Sequence, residues 1–439
     1  MSLILSQAEF NGKLFDFLAA SPTPFHAVQT TKNLLDEQGY EALSESNNWQ
    51  LKPGHKYYVT RNQSSIIAFS LKNTVGDNEI SQGINMVGAH TDSPCLKIKP
   101  NPERLKNGYF QLGVEVYGGA LLNPWFDRDL SIAGRVSYEN TDGELQSVLL
   151  DFVEPVAVIP SLAIHLDREA NENRTINKQN HLPPILCLAG NDEKMSFDDL
   201  LIEHISQVQP DIKIQQILDH ELFLYDTQEP SFVGLNREFI ASARLDNLLS
   251  CFTGLISLLE GDESQTNLLV CSDHEEVGSA SSSGAQGPFL KSVLERIYGT
   301  GETLTRQLHH SLMISADNAH GIHPNYADKH DENHGPVFNQ GPVIKLNANQ
   351  RYATNSETSA LFKHFCQQSN VPVQSFVVRS DMGCGSTIGP ITAAELGVKT
   401  VDIGLPTFAM HSIRELAGSD DAFDLHQALN YFFQNGIDQ

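Results

Sequence analysis

Two adjacent carboxylates, Glu275 and Glu276, stand in Ser272-Asp273-His274-Glu275-Glu276-Val277-Gly278, directly after the apolar run Asn267-Leu268-Leu269-Val270-Cys271. The run reads as a buried strand, and a Ser/Gly-rich loop, Ser279 to Gly287, follows. Neighbouring acids at a strand end repel each other unless a cation holds one of them. A dinuclear metal hydrolase uses such a pair: one carboxylate ligates a metal, and its neighbour is thereby fixed beside the attacking water as general base. A solvated acidic loop is the plain alternative, and a bare Glu-Glu pair favours it. Four further stretches shift the balance, each carrying His or Asp at or near the end of a predicted strand or helix. They are Ile84 to His90, Ala243-Arg244-Leu245-Asp246-Asn247, Leu312 to Asp317 and Met410-His411-Ser412.

His90, Asp246, Glu276, Asp317 and His411 supply two neutral and three anionic donors. Hard-to-borderline dications such as zinc take this mixture of imidazole and carboxylate. Two of them sharing one bridging carboxylate need about five protein ligands and leave a position for water. Singly, each residue has an ordinary explanation. A histidine after a strand is more often a packed side chain, and Asp246 alone would be a helix N-cap. Spacing by itself leaves both explanations open.

The elements that must position these residues follow from periodicity. Apolar spacing predicts an amphipathic helix over residues 4–18 and a second over 24–38, the latter with Pro24 at its start and Gly39 at its stop. Strands are predicted over Tyr57 to Thr60, Ser65 to Leu71 and Ile84 to His90. From Pro100 to about Gly234 short β-like runs alternate with turns such as Asn107-Gly108 and Asp142-Gly143, and Asp198 to Val208 is the one clear helix. From about residue 235 strands and helices alternate again, which argues a mostly parallel sheet sandwiched by helices. The expected organisation is an α/β metal domain over 1–97 and 235–439, with a β-rich domain over 98–234 inserted into it. Ligands of such sheets bind beyond the carboxyl ends of the strands. His90, Glu275, Glu276 and Asp317 all fall there, and His411 lies in a loop shortly after a strand.

Bulk properties narrow the partners. The 439 residues carry 29 Lys plus Arg against 54 Asp plus Glu, a net charge of -25. That balance argues against nucleic acid or an anionic membrane as partner, and an acidic substrate would need local positive charge at the site. Cys95, Cys187, Cys251, Cys271, Cys366 and Cys384 form no Cys-x-x-Cys pair and read as reduced thiols, which fits a cytoplasmic protein. Met1 to Leu5 has no basic flank and does not read as a signal peptide, and no apolar run reaches the roughly 18 residues of a membrane helix.

Taken together, several stretches resemble the aspartyl aminopeptidase family of co-catalytic zinc aminopeptidases. They include Ser21-Pro22-Thr23-Pro24-Phe25-His26-Ala27, Gly88-Ala89-His90-Thr91-Asp92-Ser93-Pro94, Asn123-Pro124-Trp125-Phe126-Asp127-Arg128-Asp129-Leu130 and Ile159-Pro160-Ser161-Leu162-Ala163-Ile164-His165-Leu166. Later in the chain come Asp273-His274-Glu275-Glu276, Ser315-Ala316-Asp317-Asn318-Ala319-His320, Gly341-Pro342-Val343-Ile344-Lys345 and Ala409-Met410-His411-Ser412-Ile413-Arg414-Glu415. They span nearly the whole chain in family order. Asn318 departs from the Met expected in relatives and touches no assigned role.

The resemblance implies roles. His90 and Asp317 would hold one metal, Glu276 and His411 the other, and Asp246 would bridge them. Glu275 would be the general base, acting on a bridging water, and Asp92 the carboxylate that orients a ligand imidazole. His165, His320 and Lys345 would contact substrate, with His165 reaching a neighbouring subunit's site from a dimerisation domain. Two zinc ions per subunit are expected, with manganese or cobalt as alternatives. The implied activity is removal of an N-terminal Asp or Glu from small peptides, in a homo-oligomer that is a dodecamer built from dimers. Lys345 is the expected partner of the acidic side chain, although a solvated strand-edge lysine is its ordinary explanation. His309, His310, His323, His330 and His334 are expected to be structural or surface residues, because the ligand count is already filled. Two alternatives remain: a metal hydrolase of another substrate class, such as an N-acyl amino acid deacylase or a glutamyl aminopeptidase, and a non-enzymatic assembly or cargo-binding protein that keeps the fold.

Overall fold

Runs such as Ile84–His90 and Thr266–Ser272 are apolar at nearly every position, and every residue of both is buried. Strands that read this way are covered on both faces. The computed structural model describes residues 5–73, 83–189, 195–262 and 264–437. In it the chain divides into two compact units. The first comprises Met1–Ser93, Pro230–Met410 and Glu415–Gln439; the second comprises Pro94–Glu229 with His411–Arg414. The insert expected over 98–234 thus runs from 94 to 229, and four residues of the closing half are counted with it.

The first unit is built on a nine-stranded sheet. Its spatial order is Glu41–Leu43, Lys56–Arg61, Ser65–Ser70, Thr266–Ser272, Ile84–His90, Leu312–Ala316, Lys399–Gly404, Val343–Leu346 and Gln374–Val377. The four central strands, from Thr266–Ser272 to Lys399–Gly404, run parallel to one another. Antiparallel pairs occur only toward the edges, at Lys56–Arg61, Ser65–Ser70 and Val343–Leu346.

Two cores flank this sheet, because successive side chains alternate between its faces. Leu269 and Cys271 pack with the helices Gln7–Ala19, Leu245–Leu259, Ser356–Gln368 and Asp421–Asn435. Leu268 and Val270 pack with Phe289–Tyr298 and Glu302–His309 on the other face. Leu245 to Leu258 are all buried, the polar members Asp246, Asn247, Ser250, Thr253 and Ser257 included. The first helix starts at Gln7 rather than residue 4, which lies outside the described residues. Ser6 and Glu9 form a capping box there.

A five-stranded sheet, not anticipated from periodicity, completes the unit: Ser231–Val233, Phe239–Ser242, Glu415–Gly418, Pro406–Phe408 and Ala319–His320. Its strands are two to four residues long, too short to show a pattern.

The second unit holds a six-stranded sheet around its own core of Leu96, Phe110, Trp125, Ile132, Val136 and Leu222. Its longest strand, Ile214–Asp226, pairs antiparallel with Leu130–Asn140. The helix expected from Asp198 runs Phe197–Val208, capped by Ser196.

Candidate metal centre

The parallel register sets the site. Ser272 pairs with His90, and Ser315 with Gly88, so the strands end together. Past Ser272 the chain turns through His274, whose φ is 63°, into one turn of 3-10 helix, Glu275–Val277, closed by Gly278 with φ of 98°. Asp317 follows the strand Leu312–Ala316 directly. Asp246 enters from the Leu245–Leu259 helix, whose first turn is broken at Asp246 and Asn247; the peptide between them is cis.

These side chains converge. Nε2 of His90 lies 3.4 Å from Oδ1 of Asp246 and 3.6 Å from Oδ1 of Asp317. Donor atoms of His90, Asp246 and Asp317 all lie within 4.8 Å of one another, as do those of His90, Glu275 and Glu276. Nδ1 of His90 is 3.0 Å from the main-chain oxygen of Asp92. With Nδ1 turned to that oxygen, Nε2 is the ring nitrogen that faces the carboxylates and would take a metal. The Asp92 carboxylate itself accepts from the N–H groups of Glu275 and Glu276, both at 3.1 Å. Asp92 Oδ1 also lies 3.4 Å from His90 Nδ1, so Asp92 faces the imidazole with both its main chain and its carboxylate, and the same carboxylate holds the Glu275–Glu276 turn.

Electrostatics show how strained this gathering of acids is. Burial first, then the Asp246 charge, pushes Glu276 up to about 10. Burial likewise raises Glu275 to about 7, with Asp317, Asp246 and Asp92 adding to it and His90 opposing. Burial disfavours protonation of His90, but Asp246, Asp317 and Asp92 outweigh it and hold the imidazole well above 6.5. Asp317 goes the other way: burial would raise it, yet Lys345 and His90 hold it far below the usual carboxylate range. Buried like charges at this density call for a cation, and imidazole with carboxylates is a donor set that fits zinc.

Lys345 is not at a solvated strand edge. It sits within Val343–Leu346, flanked by strands on both sides, and is only 2% exposed. Its Nζ donates to Oδ2 of Asp317 at 3.1 Å and to the Asn318 carbonyl at 2.8 Å. The same ammonium lies 5.3 Å from the ring centre of Tyr352. Tyr352 and His320 line a pocket of about 410 Å³, together with His323, Lys329 and His330. Desolvation there, followed by the Lys345 charge, lowers the His320 pKa. His323 and His330, expected to be structural or surface residues, are thus pocket-wall residues. Nothing in their spacing marks them, since the loop that carries them has no regular period. His309 and His310 end a helix away from the pocket lining, and His334 pairs with Asp331.

Two expected residues belong to the second unit. His411 opens the stretch His411–Arg414, with Nδ1 3.3 Å from the Gly119 carbonyl oxygen. His165 lies exposed in a turn, and its neighbours Leu162, Ile164 and Leu166 are exposed too.

A covered, centrally parallel sheet with imidazole and carboxylate donors gathered at its carboxyl ends defines a metal-dependent hydrolase. A family profile described as "Aminopeptidase I zinc metalloprotease (M18)" matches residues 17–433, and the chain belongs to that family of zinc aminopeptidases, which hydrolyse the N-terminal residue from peptides. It is 60% identical over 423 residues to the "Probable M18 family aminopeptidase 2" of Ectopseudomonas mendocina (strain ymp), covering 96% of this chain and 97% of that one. Among solved structures it is similar to a chain of the cryo-EM structure of the Ape4 and Nbr1 complex, with a TM-score of 0.93 and 40% identity over 98% of this chain and 86% of that one. The S. cerevisiae mApe1 dodecamer matches with a TM-score of 0.83 and 30% identity over 96% of this chain and 95% of that one.

Proposed function

We propose that the protein is an aspartyl aminopeptidase, removing an N-terminal Asp or Glu from small peptides with two zinc ions in each subunit. His90 and Asp317 hold one ion, Glu276 and His411 the other, and Asp246 bridges; manganese or cobalt could take the same donors. When bound, the ions supply Lewis acidity toward the scissile carbonyl and the attacking water. Glu275 takes the proton from that water and delivers it to the leaving amine nitrogen. Burial raises the Glu275 carboxyl, the direction that favours its taking up a proton. Asp92 keeps Glu275 in reach by holding its main-chain N–H.

The observation that carries the acidic preference is the pocket. Its lining holds Lys329, His320, His323 and His330 and, among the described residues, no carboxylate, in a chain of net charge -25. Lys345 stands between Asp317 and the pocket residue Tyr352, so it is the proposed partner of the acidic side chain. Lys329 and the buried Lys345 are thus the cations an acidic substrate would meet, and His320, its pKa lowered, would donate as a neutral ring.

His165 is proposed to act in a neighbouring subunit of a homo-dodecamer built from dimers, the assembly carried by the mApe1 structure. The exposed Leu162, Ile164 and Leu166 around it are side chains that an interface would cover. Six free thiols suit a reducing cytoplasm.

Profiling the zinc-loaded protein on aminoacyl chromogenic substrates tests the reading. Asp and Glu should lead the panel, and Glu275→Gln should lower turnover by about 10²-fold or more with zinc content unchanged. A lead by neutral residues, or near-normal turnover by Glu275→Gln, would reject it.

A further inference from the structure

We propose that Glu415 is a positioning residue of the metal centre. Its buried carboxylate grips the main chain of Asp246 and so sets the direction of the Asp246 side chain. The proposal rests on the reading above that Asp246 bridges two ions.

Glu415 is 2% exposed, and its Oε2 accepts from the Asp246 N–H at 2.9 Å. Its own place is rigid. It opens the strand Glu415–Gly418 and pairs with Ser242 in the antiparallel ladder to Phe239–Ser242. That second strand ends four residues before Asp246, so one short ladder fixes both the clamp and the chain leading to its target.

Asp246 needs such help because the helix does not supply it. Its φ and ψ are -84° and 105°, and those of Asn247 are -125° and 28°, so neither residue has helical backbone. Side chains hold this stretch instead. Ser93 Oγ donates to the Asp246 carbonyl at 2.6 Å, Glu415 accepts from its N–H, and Asn247 Nδ2 donates to the carbonyl of Ala316 at 2.9 Å. Ala316 directly precedes Asp317, so the grip also ties Asp246 to the strand carrying another proposed ligand.

The choice of a carboxylate is informative. A neutral acceptor could satisfy the same N–H without adding negative charge beside Asp246. Beside a centre that must hold cations, a carboxylate in this place makes a stronger, charge-assisted bond to the N–H and adds negative charge that favours dication binding. Groups that orient ligands in this way typically change metal affinity about 10–100-fold when removed.

The experiment compares full-length wild type with Glu415→Leu, Glu415→Gln and the control Glu260→Gln. Glu260 is a carboxylate bonded to His426 and Asn430. Zinc affinity is read by competition with a chelator, and the cobalt-substituted proteins are read by visible absorption. Thermal unfolding and separate kcat and KM values at saturating zinc complete the set. Glu415→Leu should bind zinc about 10–100-fold more weakly and shift the cobalt spectrum. At saturating zinc its kcat should fall while KM stays within about twofold. Glu415→Gln, which keeps an acceptor but loses the charge, should fall between. Glu260→Gln should alter unfolding and leave zinc affinity unchanged.

Wild-type zinc affinity and cobalt spectrum in Glu415→Leu would overturn the proposal. If that variant does not fold, wild-type affinity in Glu415→Gln overturns it equally. An equal loss of affinity in Glu260→Gln would reduce the effect to general stability and also overturn it. Should Asp246→Ala release only one ion while Glu415→Leu weakens binding, the bridging assignment falls and the clamp stands.

Discussion

Replacing Asn318 by Met should stabilise the protein. Asn318 is 3% exposed, and neither Nδ2 nor Oδ1 has a hydrogen-bond partner among the described residues. Each buried polar group left in that state costs about 1–3 kcal/mol. The useful contacts of this residue belong to its main chain: its N–H donates to Oδ1 of Asp317 at 2.6 Å, and its carbonyl accepts from Lys345. Both survive the substitution. Met is larger than Asn, and overpacking would take back about 1–3 kcal/mol, at the lower end for so flexible a side chain. The two orphaned groups together cost about 2–6 kcal/mol, so with strain near its lower end the net gain should be about 1–5 kcal/mol. For a chain of this length each kcal/mol raises Tm by about 1–2 °C, scaling down the figure for smaller domains. Scanning calorimetry at matched protein and zinc concentrations reads this, since ligand and assembly also move Tm. An unchanged or lower Tm would refute the reasoning. A fall in kcat/KM confined to acidic peptides would instead give the Asn318 amide a substrate role.

If Asp246 bridges two ions as proposed, Asp246→Ala should release both together on dialysis; retention of one equivalent by elemental analysis would contradict the bridge. Lys345→Ala should reduce kcat/KM for Asp- and Glu-led peptides by about tenfold or more relative to neutral-led ones, the scale of a lost charge-assisted hydrogen bond. Equal losses for both classes would make Lys345 purely a partner of Asp317. His220, in the second unit, is buried with neither ring nitrogen hydrogen-bonded among the described residues, and burial lowers its pKa from 6.5, with Asp219 and Asp198 opposing. The folded state then binds that proton less readily than the unfolded one. Its contribution is therefore complete above pH 6.5 and lost as pH falls through 6.5 toward the folded value. His220→Leu should flatten that part of the denaturant midpoint's pH profile, and an unaltered slope would show that His220 is not its source.

The clearest sequence signals were those with a short local cause. Leu312–Ala316 and the helix ending at Gln368 follow from runs of apolar residues and their periods, and the donors past them are named by type alone. The same reasoning failed where the cause was distant. The strand Ile214–Asp226 reads as polar because only part of it is buried, and its long pairing with Leu130–Asn140 makes it a strand. The five-stranded sheet joins pieces from residue 231 to residue 418, none long enough to show a period.

The candidate site divides along the same line. His90, Asp246, Glu275, Glu276 and Asp317 could be proposed from the sequence because their chemistry is carried by residue type and by position after an apolar run. Lys345 could be proposed too, but as a solvated strand-edge residue or a substrate contact. Only the tertiary structure buries it against Asp317 and beside Tyr352. Glu415 was legible as part of a motif and without a role, because its partner, the Asp246 N–H, lies 169 residues away in the chain. The split has a physical reason. Hydrophobic period and donor type are properties of a few consecutive residues, whereas the direction of a hydrogen bond and the desolvation that shifts a pKa arise from groups that meet only when the sheet has formed.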